Sequence, residues 1–214
     1  MGYLLGTVWL NMLFFKENDE QKLKRISKDA ENVLQMFNAY FKTPKGIDAT
    51  RELVFVAAMA GHACHRAVIA QHGKNAEVTT KEGKKFFFGD DLNNYLLEDK
   101  FSVVSFCTAV TDYPMAKVLE IVSSFANHFT DENYTVFGYN PKVLYEQVES
   151  CWEGIYKNMT SKYCKNPSEW PILFGVVLQN ILVMSLKAGA PKDEAARIAI
   201  ECAVAVSKMD KESF

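Results

Sequence analysis

Hydrophobic residues recur at helical spacing along most of the chain. Between Glu20 and Phe41 the apolar residues are three or four positions apart, which places them on one face of a helix. The intervening positions hold charged and amide side chains, so this helix is expected at the surface. The next helix, from Asp48 or Thr50 to about Gln71, is apolar nearly all round and is therefore predicted to be central.

Cap residues and prolines mark the starts of further helices. Asp90 or Asp91 is expected to cap a short helix. Ser102 is expected to cap another, and Asn140 opens a long one with proline at its first position. The helices predicted in this part of the chain are 90–97, the segment after 102, 114–129, 140–163, 171–189 and 191–209. The segment 130–139 has no clean period and is predicted to be a loop, although it is unusually aromatic.

A strand pattern occurs between Glu77 and Phe88. Two short runs of strand-favouring residues flank a turn that contains Gly83, which suits the left-handed position of a hairpin. A lone two-stranded hairpin is marginally stable in water, so its phenylalanines must pack on the helices or on another subunit. Because twofold pairing is the commonest way to cover such a patch, we predict a homodimer.

No repeat, low-complexity tract or linker interrupts this series of elements. At 214 residues the chain fits one large hydrophobic core, and 49% hydrophobic with 23% charged residues is typical of globular proteins. The sequence therefore predicts a mainly α fold. We expect a single-domain helical bundle over residues 1–214, with about seven helices and one β-hairpin.

Charge and cysteine content limit the partners and the compartment. A formal net charge of -2, without a long basic run, lacks the electrostatic footprint of nucleic-acid-binding proteins. Five cysteines, an odd number without a CxxC pair, indicate reduced thiols and not a disulfide framework. We therefore expect a cytoplasmic protein that binds no nucleic acid.

Two apolar runs bear on membrane contact. Tyr3–Phe15 lacks the basic region and the cleavage site of a signal peptide, so we interpret it as part of the mature protein. Trp170–Leu186 is marginal in length for a bilayer span and contains Pro171, which favours a buried core helix. The expectation is no membrane partner, and membrane attachment through these two runs is the alternative.

The segment from Gly61 to Arg66 is the most suggestive place for chemistry. His62 and His65 are three residues apart and His62 and Arg66 are four apart, so each pair shares a helical face. Such spacing can supply two metal ligands, but the His-Glu-x-x-His pattern of zinc proteases is absent. Buried histidines usually need only a hydrogen-bond partner, so core or interface histidines are favoured and no metal is predicted.

Carboxylates and amides are concentrated after the hairpin, between Gly89 and Asn94. Asp90 and Asp91 could together hold Mg²⁺ or take part in acid–base catalysis. The simpler interpretation is that one of them caps the following helix while the other favours the helix dipole.

These two polar clusters define the predicted ligand site. A pocket usually joins an apolar wall to a few convergent polar groups. If a small-molecule site exists, we expect it where the middle of the 48–71 helix meets the turn after the hairpin, combining His62, His65 and Arg66 with Asp90, Asp91 or Asn94. Arg66 would then hold an anionic group of the ligand.

Recognised catalytic and cofactor motifs are missing from the sequence. It contains no Walker loop, no GxGxxG fingerprint and no GxSxG elbow, and no cofactor is predicted. The leading hypothesis is a non-catalytic binding or protein-interaction domain with a protein or small-molecule partner. The alternative is a small enzyme with a helix-borne His/Asp site that depends on a metal or acts without one.

Two stretches, Lys85–Asn93 and Asn166–Pro171, resemble segments of bacterial hypothetical proteins without an established function. The resemblance covers about half the chain in scattered blocks. It implies a bacterial cytosolic protein and assigns no catalytic residue.

Overall fold

A computed structural model describes residues 17–44 and 46–214 of the chain, and the apolar run Tyr3–Phe15 lies outside them. The elements are α1 (Asp19–Tyr40), β1 (Lys42–Thr43), β2 (Gly46–Ile47), α2 (Ala49–His72), β3 (Glu77–Thr79), β4 (Lys85–Phe87), α3 (Asp90–Asn93), α4 (Val103–Thr111), α5 (Met115–His128), α6 (Pro141–Lys162), α7 (Trp170–Lys187) and α8 (Lys192–Ser207). A π-helical turn at Asn94–Glu98 follows α3. Short 3₁₀ turns occur at Pro167–Glu169 and Lys211–Ser213. The predicted mainly α fold with a β-hairpin is confirmed.

Local capping explains where several helices begin. The side chains of Asp48, Ser102 and Asn140 each accept a hydrogen bond from a backbone N–H in the first turn of α2, α4 and α6. The predicted aspartate cap after the hairpin is wrong. Gly89 occupies the cap position of α3 without a side-chain bond, and Asp90 and Asp91 lie in the first turn, where their charge still favours the helix dipole.

The core is built around α2, which packs against α8 and α7. Helix α1 covers α7, α4 packs on α7 and α8, α5 on α8, and α6 on α2. Small residues in α2 allow a neighbouring helix to approach it closely, as the composition of α2 predicts. A β-carbon added at Gly61 would lie 2.0 Å from the carbonyl oxygen of Ala203 in α8, so the two backbones nearly touch there.

The predicted hairpin is covered within the same chain. Strands β3 and β4 are antiparallel, and Gly83 takes the expected left-handed conformation, with φ 85°. The rings of Phe86 and Phe87 are buried against Phe129 and His65, at centroid distances of 4.6 Å in both cases. The hairpin therefore gives no reason to expect a second subunit, and the homodimer stays a prediction.

Two small pieces of β-structure were not predicted. Strands β1 and β2 form a two-residue antiparallel ladder directly after α1, which is too short to leave a periodic pattern. Within the predicted loop, Val136 and Tyr139 form a β-bridge around Phe137 and Gly138, whose φ angles of 47° and 78° define a type I′ turn. We call residues 136–139 the Phe137 turn.

Two helices in the described part of the chain are long and apolar enough to cross a membrane. They are Ala49–His72 and the segment Pro167–Lys187, and 83% and 72% respectively of an apolar stretch of 18 residues in each is buried inside the fold. Burial of this extent is typical of core helices in soluble proteins.

Candidate functional site

His62 lies in the core at the contact between α2 and α6. Its side chain is 1% exposed, and its ring packs against Tyr145 and Trp152, at centroid distances of 5.8 and 4.9 Å. The Nε2 atom is 3.0 Å from Oε2 of Glu149, although the two groups are not aligned for a good hydrogen bond. Arg66 reaches the other carboxylate oxygen of Glu149 at 3.7 Å. Two residues of the predicted site, His62 and Arg66, therefore contact the same carboxylate, that of Glu149, which was not predicted.

The electrostatics of this cluster favour a neutral histidine. Burial lowers the pKa of His62 more than the neighbouring Glu149 raises it. Contact with His62, and then the charge of Arg66, holds the pKa of Glu149 below its ordinary value. The 1% exposure of His62 leaves little room for a substrate to reach it, and neither ring nitrogen has an aligned hydrogen-bond partner among the described residues.

His65 is enclosed one turn further along α2. It is 3% exposed, its Nδ1 lies 3.5 Å from the amide nitrogen of Asn75, and its ring packs on Phe87. Burial is the main cause that lowers the pKa of His65 to about 3, with smaller contributions from His62 and Arg66. His65 is therefore neutral in the folded protein.

The buried His65 should make the fold sensitive to acid. The pKa of His65 is about 3 in the folded state and 6.5 in an unstructured peptide. Between these two pH values, His65 is protonated in the unfolded chain but not in the folded chain. Stability is therefore lost as the pH falls, by about 2 kcal/mol at pH 5 from this residue. Urea titrations of the wild type and His65→Gln at pH 7 and pH 5 should show a smaller loss in the variant.

His128 supplies the control for this measurement, because it is a histidine on the exposed side of α5. His128→Gln should retain the acid sensitivity of the wild type. Equal losses of stability in the wild type and in His65→Gln would show that His65 is not held neutral by burial.

The second predicted cluster lies at the end of α2 and not at its middle. Asp90, Asp91 and Asn94 are exposed, and Asp91 Oδ2 is 3.8 Å from Nε2 of His72, the last residue of α2. Among residues 17–44 and 46–214, no hydrogen bond or ion pair joins the group His62, His65 and Arg66 to the group Asp90, Asp91 and Asn94. The composite ligand site stays a prediction without a contact that supports it.

Metal ligands and reactive thiols are two other kinds of site that these residue types could form. Within the described ranges, no group of three or more His, Cys, Asp or Glu side chains is arranged to hold a metal ion. Burial raises the pKa of the Cys107 and Cys164 thiols to about 12, and it raises the pKa of Cys64 and Cys202 further. These four thiols are protonated near neutral pH and are poor nucleophiles.

Lys208 is a buried lysine that was not predicted from the sequence. It is 2% exposed, and its Nζ donates a hydrogen bond of 2.6 Å to Oδ1 of Asn93 and lies 5.5 Å from the ring centroid of Phe88. Burial lowers its pKa to about 8. In the sequence, Lys208 is a single charged residue at the apolar end of α8. A lysine in such a position usually extends its ammonium group into solvent, so its burial was not expected.

A cleft of about 390 Å³ opens between the hairpin, the loop after α5, the start of α6 and residues 209–214. We call it the Lys142 cleft. It is lined by Lys84, Phe86, Phe129, Thr130, Asp131, Glu132, Tyr134, Asn140, Pro141, Lys142, Met209, Ser213 and Phe214. Phe86 and Met209 are buried at its base, and aromatic rings stand on both sides. The size falls within the range of cavities that hold small organic ligands.

The charges around the cleft are not equally available. Lys84 pairs with Glu132 at 3.1 Å, so these two charges offset one another. Lys142 lies in the first turn of α6, with its Nζ 5.3 Å from the ring centroid of Phe214. Among the residues that the structure describes, no carboxylate forms an ion pair with Lys142. The cleft therefore has one available cation next to the positive end of a helix dipole, while the Asp131 carboxylate, which accepts a hydrogen bond from the backbone N–H of Asn133, is a lining charge of opposite sign.

This cleft could not be predicted from the sequence, because its lining comes from four distant segments. The available signal was the aromatic character of residues 130–139, which include Tyr134. Comparisons with protein-family models, with curated proteins and with solved structures give no match, so the function has to be inferred from the geometry of the chain itself.

Proposed function

We propose that the protein is a non-catalytic binding protein that holds a small ligand in the Lys142 cleft. The ligand has an aromatic or other apolar body and an anionic group such as a carboxylate or phosphate. The observation that carries the proposal is the position of Lys142 at the N-terminus of α6, beside a cleft with aromatic walls. The His62 cluster supports the fold under this proposal and does not contact the ligand.

The apolar body fits the aromatic part of the cleft. Phe86 and Phe129 form one continuous surface, since their ring centroids are 4.6 Å apart, and Phe214 faces the opening at 37% exposure. Aromatic rings favour planar ligands through offset or edge-to-face contacts. The ligand would cover the exposed part of Phe214.

The anionic group fits the Lys142 side of the cleft. The α6 dipole places partial positive charge at the start of the helix, and Lys142 adds a full charge there. Asn140 already caps the backbone N–H of Lys142. The anion is therefore expected to bind the ammonium group of Lys142 more than the helix N–H groups.

Anilinonaphthalene sulfonate, an aromatic anion, should bind the cleft and lose affinity when Lys142 is neutralised. We expect Lys142→Met to weaken its binding about fivefold, because a charge-assisted contact at a partly exposed site is lost. The uncharged analogue phenylnaphthylamine should bind the wild type and Lys142→Met equally. Fluorescence titration measures both affinities.

Two further variants separate the cleft from nonspecific dye binding. Lys157→Met removes an exposed lysine from the same helix and should change neither affinity. Thr130→Phe places a ring at the exposed edge of the cleft and should weaken both dyes. Equal binding of the sulfonate to the wild type, Lys142→Met and Thr130→Phe would refute the assignment of this cleft.

The alternative function is a small enzyme that uses Glu149 with His62. The observation in its favour is a half-buried carboxylate with a lowered pKa, held between His62 and Arg66 at the surface of α6. Turnover of any substrate by the purified protein, lost in Glu149→Gln while the fold is retained, would favour this alternative over a binding protein.

A cytoplasmic location in bacteria and a homodimeric state are part of the proposal. The location is supported by five free cysteines, of which four are buried as reduced thiols. A native mass measurement at micromolar concentration tests the homodimer, and a strictly monomeric mass would remove it.

A further inference from the structure

A second cavity, of about 410 Å³, lies where the N-terminus of α2 meets the turn between α7 and α8. Apolar side chains, including Leu53, Ala195 and Ile198, form most of its wall. It shares no lining residue with the Lys142 cleft. Its size and its apolar lining are those of a small-molecule pocket.

A nearly buried serine, whose hydroxyl has no partner among the described residues, lies in this wall. Ser185 of α7 lines the cavity and is 6% exposed. Serine in a helix commonly donates to the carbonyl four residues earlier, but in the described part of the chain the Ser185 hydroxyl has no hydrogen-bond partner. The oxygen of this hydroxyl keeps access to the space of the cavity, so a ligand atom can bond to it there in place of water.

The Phe137 turn closes one side of the cavity under backbone strain. Phe137 lines the cavity and has a φ of 47°, which is unfavourable for a bulky side chain. Its backbone lies close to the carboxylate of Glu201, and this contact partly offsets the rise in the pKa of Glu201 that burial causes. Strained residues persist where surrounding contacts fix them, and they are concentrated at ligand sites.

The charge at the cavity limits the kind of ligand. Glu194 is the one charged residue among the described residues that line it. The Glu194 carboxylate at the rim offsets the positive dipole ends of α2 and α8, whose first turns also line the cavity, so neither sign of charge dominates there. The apolar wall and the charges around it therefore favour an uncharged molecule, with an oxygen atom that hydrogen-bonds to Ser185.

We propose that this cavity binds a small neutral ligand with an aliphatic body and one hydroxyl or carbonyl oxygen. The aliphatic body contacts Leu53, Ile198 and the ring of Phe137, and the oxygen exchanges a hydrogen bond with Ser185. This site is independent of the Lys142 cleft, and the two proposals can fail separately.

Titration of the isotope-labelled protein with hexanol, followed by two-dimensional NMR, tests the proposal. We expect a dissociation constant of about 1 mM, as befits so small a ligand. Amide shifts should be confined to the first turns of α2 and α8, the end of α7 with the turn that follows it, and the Phe137 turn. Hexanoate should bind more weakly than hexanol, because burying its charge is costly where neither sign of charge dominates.

Three variants locate the binding. Ser185→Ala should weaken hexanol about fivefold through loss of one hydrogen bond. Ala188→Phe, at an exposed lining position, should weaken it more than about tenfold by filling the cavity. Ser161→Ala, an exposed serine of α6, is the matched control and should have no effect.

Several results would overturn the proposal. They are the absence of binding up to the solubility of hexanol, shifts located at the Lys142 cleft, or affinities unchanged in both Ser185→Ala and Ala188→Phe. If Ser185→Ala fails to fold, Ala188→Phe still tests the proposal. Residue 188 is exposed at the end of α7, so this substitution is not expected to disturb the core.

Discussion

Replacing Gly61 by alanine should destabilise the fold by more than about 3 kcal/mol. The added methyl group would lie 2.0 Å from the carbonyl oxygen and 2.8 Å from the carbonyl carbon of Ala203. Both atoms belong to the backbone of α8, so no side-chain rotation can relieve the overlap. Helices α2 and α8 would have to move apart along the most extensive contact between any two of the described helices. Urea denaturation of the wild type and the variant measures the difference.

Gly154→Ala is the matched control for this substitution. Gly154 lies in the interior of α6, and a β-carbon built there meets no atom within 4 Å. Alanine has the higher helix propensity, so this variant should be more stable than the wild type by about 0.5–1 kcal/mol. A destabilisation of Gly61→Ala no larger than about 1 kcal/mol would contradict the close approach of the two helices.

Replacing the buried Lys208 by methionine should stabilise the protein by up to about 3 kcal/mol at pH 7. The pKa of Lys208 is about 8 in the fold and 10.5 in an unstructured peptide, a difference worth about 3.4 kcal/mol. Below pH 8 the ammonium group is charged in both states, and the folded state bears the full cost of its burial. Methionine has a similar shape and no charge, so it removes that cost.

The stabilisation should disappear as the pH rises. Between pH 8 and 10.5 Lys208 loses its proton in the folded state before the unfolded state does, so the wild type gains stability relative to the variant. Above pH 10.5 the lysine is neutral in both states. The difference between the two unfolding free energies, measured from pH 7 to pH 10.5, isolates Lys208 and the neighbouring Cys64, whose pKa Lys208 lowers, from the other titrating groups.

An exposed lysine outside the helices provides the comparison. Lys165→Met should change stability by less than about 0.5 kcal/mol at any of these pH values. If Lys208→Met is instead destabilising at pH 7, the hydrogen bond to Asn93 outweighs the burial of the charge.

Most of the helices could be predicted because their signals are local. Asp48, Ser102 and Asn140 act on the backbone two or three residues away, and the apolar periodicity of α1 and α6 depends only on neighbouring turns. The Gly83 turn was predictable for the same reason. The aspartate cap was not, since Gly89 fits the close contact with Asn75 and Ala76, which no local rule contains.

The candidate sites were less predictable because their parts meet only in the folded chain. His62 and Arg66 could be identified because they are spaced to share one face of a helix. Their partner Glu149 belongs to α6, and no motif in its local sequence marks it. Whether a lysine such as Lys208 is buried depends on how α8 is covered by the turn after the hairpin. The Lys142 cleft likewise requires the relative placement of four segments.

The central position of α2 has a consequence for how the chain is made. This helix is apolar on nearly every side, yet α7, which covers it, begins at Trp170, about 100 residues after α2 ends at His72. At translation rates of about 5–20 residues per second, α2 is synthesised about 5–20 s before α7. During that interval the apolar faces of α2 that pack on α7 and α8 are uncovered, which is the condition in which hydrophobic segments aggregate or bind chaperones.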